Sequence, residues 1–166
     1  MDFSWIPALA DKIPYFAKLG ITFGISLLPV VELRGAIPVG VALGLPHLLT
    51  FLIAYLGNML PVPFIILFVR KIFDWMKRKS KRLGNWANRL EEKALKKSKQ
   101  VKRYKVLGLL LFVAIPIPGT GAWTGSLIAA LLNMRLKDAL PTIALGVLIA
   151  GVLMTGLTLG FSFFLN

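Results

Sequence analysis

Cysteine is missing from the 166 residues, which removes disulfides, thiolate nucleophiles and cysteine metal sites together and leaves the redox compartment unreadable. A single histidine, His47, likewise excludes His-cluster metal chemistry. Acids are scarce: seven Asp or Glu stand against twenty Lys or Arg, for a net charge of +13. With no second buried acid, no Ser-His pair and no ligand cluster in the chain, neither an enzyme nor a cofactor is expected. What fills the chain instead is apolar, with 57% hydrophobic residues and a mean hydropathy of +0.75. A soluble domain carries roughly 45–50% apolar residues, so the composition points to an all-α integral membrane protein that crosses the bilayer more than once.

The positive charge is concentrated. Residues 70–105 hold fifteen Lys or Arg and only three acids, Asp74, Glu91 and Glu92, so the rest of the chain is nearly neutral. A basic protein can bind nucleic acid, but a basic stretch flanked by apolar segments is explained by the positive-inside rule, which puts 70–105 in the cytoplasm and leaves no nucleic-acid partner expected. Within it Ile72, Phe73, Met76, Leu83, Trp86, Leu90 and Ala94 recur near helical spacing with Lys and Arg on the other face. That pattern predicts one or two amphipathic helices, broken at Gly84, on the anionic lipids of the inner leaflet. The segment 1–18, with Pro7, Asp11, Lys12 and Pro14, is too polar to span and reads as an interfacial helix with Trp5 and Tyr15 at headgroup level. It lacks the cleavage pattern of a leader and is expected to stay in the mature chain.

Two stretches interrupt the apolar sequence with residues that do not belong in lipid: Pro29-Val-Val-Glu32-Leu-Arg34-Gly35-Ala-Ile-Pro38, and Pro116-Ile-Pro118-Gly119-Thr120-Gly121-Ala122-Trp123-Thr124-Gly125. Irregular backbone at membrane depth survives only where protein or water satisfies it, and paired interruptions of this kind mark transport sites. Each flanking arm is about 7–10 residues, roughly 10–15 Å of helix, half the hydrocarbon core of about 30 Å. Two such arms make either a re-entrant hairpin or one broken crossing; the hairpin puts Glu32 and Arg34 at its tip and is the reading adopted for 19–45 and 106–132. True spans follow at 48–69, with kinks expected at Gly57-Asn58 and Pro61-Val-Pro63, and at 139–160. The organisation is therefore 1–18, a first repeat 19–69, the basic segment 70–105, and a second repeat 106–166. Offsets of 87 (Pro29 to Pro116) and 89 (Gly57 to Gly146) fit a duplication. One span between the breaks makes the repeat inverted, with both tips near the midplane.

Glu32 is the candidate proton carrier, because an ionised carboxylate in an apolar run must be paired, hydrated or protonated. Arg34 never loses its charge, so its site holds a carboxylate or an anionic substrate; the plainer alternative is a static Glu32–Arg34 pair that pins the hairpin. Two helix N-termini and the Gly119-Thr120-Gly121 amides converging on one space would suit a phosphate-like group, with Gly35, Thr120, Thr124 and Asn58 as further contacts. Against this, the glycines serve equally for tight turns, Trp123 for packing as well as for stacking on a substrate, and Asn58 for a helix-to-helix hydrogen bond.

Pro29-x-x-Glu32-x-Arg34-Gly35-x-x-Pro38 together with Pro116-x-Pro118-Gly119-Thr120-Gly121-Ala122-Trp123 resembles the small multidrug export protein family, a relative of the DedA membrane proteins. The likeness runs from about residue 20 to about residue 160. It implies opposed re-entrant hairpins packed on spanning helices, proton-coupled transport through Glu32 and Arg34, and, through the DedA relatives, movement of polyprenyl-phosphate or other lipids. The second motif departs from the DedA pattern in having no arginine. The expected function is a proton-coupled secondary transporter or lipid-headgroup translocase with an anionic substrate, small or lipid-borne. Its alternatives are drug-cation export and a membrane scaffold that does not transport. Two spans are few to shield two polar hairpins, so membrane lipids and a second copy in a two-fold dimer are the expected partners.

Overall fold

Residues 11–79, 85, 88–89, 105–117 and 119–165 are described by a computed structural model. Among them the regular elements are all helical: α1 Tyr15–Leu27, α2 Glu32–Ala42, α3 His47–Met59, α4 Pro61–Lys79, α5 Lys105–Ala114, α6 Ala122–Leu131 and α7 Leu136–Leu165. Expectations for residues 1–10, for most of the basic segment and its break at Gly84, and for Pro118 fall outside the described residues.

Proline sets the first helix boundaries. α1 begins directly after Pro14, whose carbonyl accepts from the Ala17 and Lys18 amides. It ends because Pro29 forces Leu28 out of the helical region, to φ −70°, ψ 133°. The helix thus starts at Tyr15, four residues before the expected arm. The irregular stretch is also shorter than the motif, covering only 28–31: Gly35 and Pro38 lie inside α2. Pro38 costs α2 one backbone bond, at the Arg34 carbonyl, without ending the helix.

Both short pairs fold back on themselves. Thr22 stands against Gly40 and Lys18 against Gly44, so α1 and α2 run antiparallel about a turn near residue 31. Val113 against Gly125, and the Lys105 Nζ donating to the Leu132 carbonyl at 3.1 Å, show the same for α5 and α6. Each pair closes with the same C-terminal device. The Leu45 amide reaches the Gly40 carbonyl and the Gly44 amide that of Val41, with Gly44 at φ 82°; Met134 to Ala129 and Asn133 to Ala130 repeat it, with Asn133 at φ 51°. This is the Schellman arrangement, in which a left-handed residue lets the chain satisfy orphan carbonyls.

The recurrence extends to packing. Gly57 of α3 receives the Ser26 hydroxyl and the Phe23 backbone of α1, and 89 residues later Gly146 of α7 receives Val113 and the Leu110 backbone of α5. At these crossings a Cβ has no room, so the short hairpins lie directly on the long helices.

Those long helices fall where spans were expected. α3 and α4 run on through Leu60, whose φ −56°, ψ −47° stay helical, to give an apolar stretch His47–Ile72 of 26 residues; Leu136–Gly160 gives 25. At 1.5 Å per residue each reaches about 37–39 Å, ample for a core of about 30 Å. Their faces are inverted relative to a soluble core helix. Thr50, Ala54, Gly57 and Asn58 point inward, while Leu48, Leu52, Leu56, Leu60, Phe64 and Phe68 form an exposed apolar stripe. Small residues inside and large apolar ones outside suit a helix solvated by lipid, and the protein is a helical membrane protein.

Substitution of Gly57 tests the close crossing. Gly57→Val should destabilise the protein by about 1–3 kcal/mol, since the neighbouring Phe23 backbone cannot yield. Gly24→Ala on α1, which meets nothing within 4 Å, should be neutral or stabilising. Thermal unfolding in detergent micelles compares the two.

Candidate functional site

Helix ends meet at the centre of the fold, and the side chains of one hairpin satisfy the ends of the other. The turn before α2 delivers Glu32 at φ 51°, a left-handed conformation uncommon for a residue with a side chain. From there its carboxylate leaves its own helix and crosses to the N-terminus of α6. One oxygen accepts from the Ala122 amide at 3.2 Å and the other from the Trp123 amide at 3.0 Å. These are two of the donors that a helix start leaves unpaired, and the helix dipole favours an anion in that position. Glu32 is 2% exposed and Ala122 fully buried.

Gly121 makes this approach possible. A Cβ built there would collide with the Glu32 carboxyl, so only the bare backbone lets the acid close on the helix end. Gly119, at φ 86°, turns the chain ahead of it in a conformation that glycine adopts without penalty.

Arg34 serves the opposite pole. Its guanidinium donates to the Ile117 carbonyl, to the Ile115 carbonyl at 3.0 Å, to the Val113 carbonyl at 3.4 Å, and to the Thr120 hydroxyl oxygen at 3.2 Å. Those carbonyls belong to the last turn of α5 and the chain leaving it, where orphan acceptors and the negative end of the dipole favour a cation. The Thr120 hydroxyl lies 2.9 Å from the Ile115 carbonyl and 2.8 Å from that of Ile117, to either of which it can donate. A third link runs from the Trp123 indole Nε1 to the Leu27 carbonyl at the end of α1, at 3.1 Å.

The geometry amends the static-pair alternative: Glu32 and Arg34 turn to different helix ends and pin the second break rather than each other. Glu32, Arg34, Gly119, Thr120, Gly121 and Trp123 come together here, and Asn58 joins them. Asn58 is fully buried on α3 with its amide turned to the Glu32 carboxyl as a side-chain hydrogen-bond partner, but too loosely to close a well-formed bond, and neither its Oδ1 nor its Nδ2 closes one elsewhere among the described residues. The buried Arg34 Nε is also unpartnered there. Gly35 stands apart, against Val31, and Thr124 lies half-buried in the first turn of α6. Sequence reasoning passed over Ser26, buried against Gly57 next to Asn58, and Ala122, whose contribution is a backbone amide. A small polar residue among large apolar ones was the available signal for Ser26; a backbone donor leaves none.

A model of the family described as "Putative small multi-drug export protein" matches residues 32–153, from Glu32 through the second break to the second long helix. The chain belongs to that family. No curated protein and no solved structure matches it. The family description is that of an export protein, not an enzyme.

Gly121→Ala should displace the carboxylate and forfeit two charge-assisted hydrogen bonds, costing about 3 kcal/mol of stability. In a Glu32→Ala background the same change should cost less than about 1 kcal/mol, because the colliding group is gone. A double-mutant cycle on unfolding midpoints in detergent gives both values.

Proposed function

We propose that this protein is a proton-coupled secondary transporter of molecules bearing an anionic, phosphate-like group, either a small solute or a lipid headgroup. The observation that carries the reading is the placement of the buried Glu32 carboxylate on the α6 N-terminus, between two breaks in otherwise apolar helices. An ionisable residue at membrane depth is a functional site by default, and half-length helices whose ends meet there give substrate groups something to bind. The hairpins enter from opposite faces as an inverted repeat, the first from outside and the second from the cytoplasm, with the basic segment 70–105 cytoplasmic. Kinship with DedA proteins and a two-fold dimer belong to the same reading. Glu32 is the proton-coupling residue; Arg34, Asn58 and the turn 119–124 shape the anion site. The drug-export name of the family allows a cationic substrate, but Arg34 would repel one.

Purified protein in liposomes tests this. Glu32→Gln should abolish proton-driven flux, and Arg34→Ala should lower it at least about tenfold while weakening capture of a phosphate-bearing substrate. Unchanged flux in both variants would make the crossed contacts purely structural and end the transport reading. A cysteine placed at position 85 should resist impermeant thiol reagents added outside sealed cells; labelling from outside would reverse the orientation.

A further inference from the structure

The two halves of the chain provide an internal control for what packing alone requires. Ser26 corresponds to Val113 and Asn58 to Val147, by the same 87- and 89-residue offsets that relate the Gly57 and Gly146 crossings. Both valines are buried to 1% or less, as are Ser26 and Asn58. An apolar side chain therefore fills each place in the second half without loss, and the fold does not need polarity there. Polarity in the first half is costly, most of all at Asn58, whose buried amide has only a loose contact with the Glu32 carboxyl and closes no well-formed hydrogen bond among the described residues. A cost kept at one of two equivalent positions calls for a state in which the amide is used.

The group it faces is the Glu32 carboxyl. Ionised, that group can only accept, and it takes its bonds from the amides of Ala122 and Trp123. Protonated, it gains an O–H donor that those amides cannot receive, whereas the Asn58 Oδ1 can. Arg34 is the charged side chain that acts on Glu32, and its two terminal nitrogens already donate to Val113, Ile115, Ile117 and Thr120. α6 carries no titratable residue. Tyr55 of α3 directs its hydroxyl to the Ala144 carbonyl, while Lys18, His47, Lys105 and Asp138 stand at helix ends remote from the site.

We infer that the Glu32 carboxylate is a resident anion occupying the substrate's own seat, and that protonation moves it to Asn58 and opens that seat. The proton bonds to a Glu32 oxygen, the O–H donates to the Asn58 Oδ1, and the Ala122 and Trp123 amides are left without an acceptor. An anionic group then replaces the carboxylate on the α6 N-terminus, so the anion and the proton occupy the protein together. This deepens the transport reading and rests on it. It makes Asn58 a positioning residue rather than a substrate contact, and it makes the coupling obligatory, since one helix end cannot hold both anions.

The test is binding to the full chain in nanodiscs, with two probes whose charge stays constant between about pH 5 and about pH 8, so that any pH dependence belongs to the protein. Sulfate stands for a free anion and short-chain phosphatidylglycerol for a lipid headgroup; whichever binds identifies the source. Affinity should rise at least about tenfold on acidification in the wild type, while Glu32→Gln should bind tightly and equally at both ends of the range. Asn58→Val, which installs the residue of the equivalent position 147, should remove most of the acid gain. It should also shift the infrared carbonyl band of protonated Glu32, a signal that a merely structural asparagine would leave in place. Affinity independent of pH in the wild type, binding by Glu32→Gln no tighter than wild type at high pH, or an unmoved carbonyl band in Asn58→Val would each overturn the inference. Loss of flux in Glu32→Gln alongside any of these would leave the transport reading standing, whereas unchanged flux would remove both.

Discussion

Everything at the centre of this protein depends on one carboxylate reaching a helix end that is not its own. A helix that stops inside a bilayer strands four amides or four carbonyls, and no water is there to receive them. α1, α2, α5 and α6, at 10–13 residues, all stop short of a membrane's thickness. Glu32 answers for the start of α6, Arg34 for the end of α5, and the Trp123 indole for the end of α1. The left-handed backbone at Glu32 costs about 1–3 kcal/mol, while each hydrogen bond to a charged acceptor returns about 1.5–3. The two bonds to Ala122 and Trp123 offset the strain of the turn and part of the cost of burying the carboxylate.

The same interlock explains where glycine is compulsory. Gly121 is required by the carboxylate above it, Gly57 and Gly146 by the Ser26 and Val113 side chains and the Phe23 and Leu110 carbonyls packed against them. Close crossings are how helices adhere in lipid, where burying leucine gains little because the acyl chains are equally apolar. Large residues accordingly face outward along α3 and α4, and the interior is assembled from small ones around Leu33, Ile37, Val113 and Ile143.

Much of this plan was legible in the sequence because it is written in residues that lipid tolerates badly. Two proline-bounded breaks, one buried acid and one arginine located the centre; apolar runs located the long helices; similar offsets of 87 and 89 suggested that the halves share a plan. The extent of the first break was misjudged, because Gly35 and Pro38 read as helix breakers. Once Glu32 is anchored on α6, the chain from 32 to 42 is held as a helix from its first turn, and packing overrides the local preference. The partners of Glu32 and Arg34 were illegible for a simpler reason. They are backbone amides and carbonyls, identical at every position, and only the fold selects which of them lie within reach.

The halves share a plan but not a composition, and the differences fall along one line. Glu32 and Arg34 correspond to Gly119 and Gly121, Ser26 and Asn58 to Val113 and Val147, and the prolines of the first long helix to Ala150 and Val152 of the second. The second half supplies mostly backbone and the first the charged side chains that read it, with the Trp123 indole on the Leu27 carbonyl as the reverse contact. Pro61 and Pro63 remove the amides that would otherwise bond the Gly57 and Met59 carbonyls, weakening the first long helix one turn beyond Asn58. Before that point α3 packs on α1 and α2, and after it α4 packs on α6. One rod therefore belongs to both hairpins and lacks two backbone bonds between them, beside the carboxylate that ties them together. The Glu32 contact, with those of Arg34 and Trp123, joins the two hairpins beside the point where that helix lacks backbone bonds.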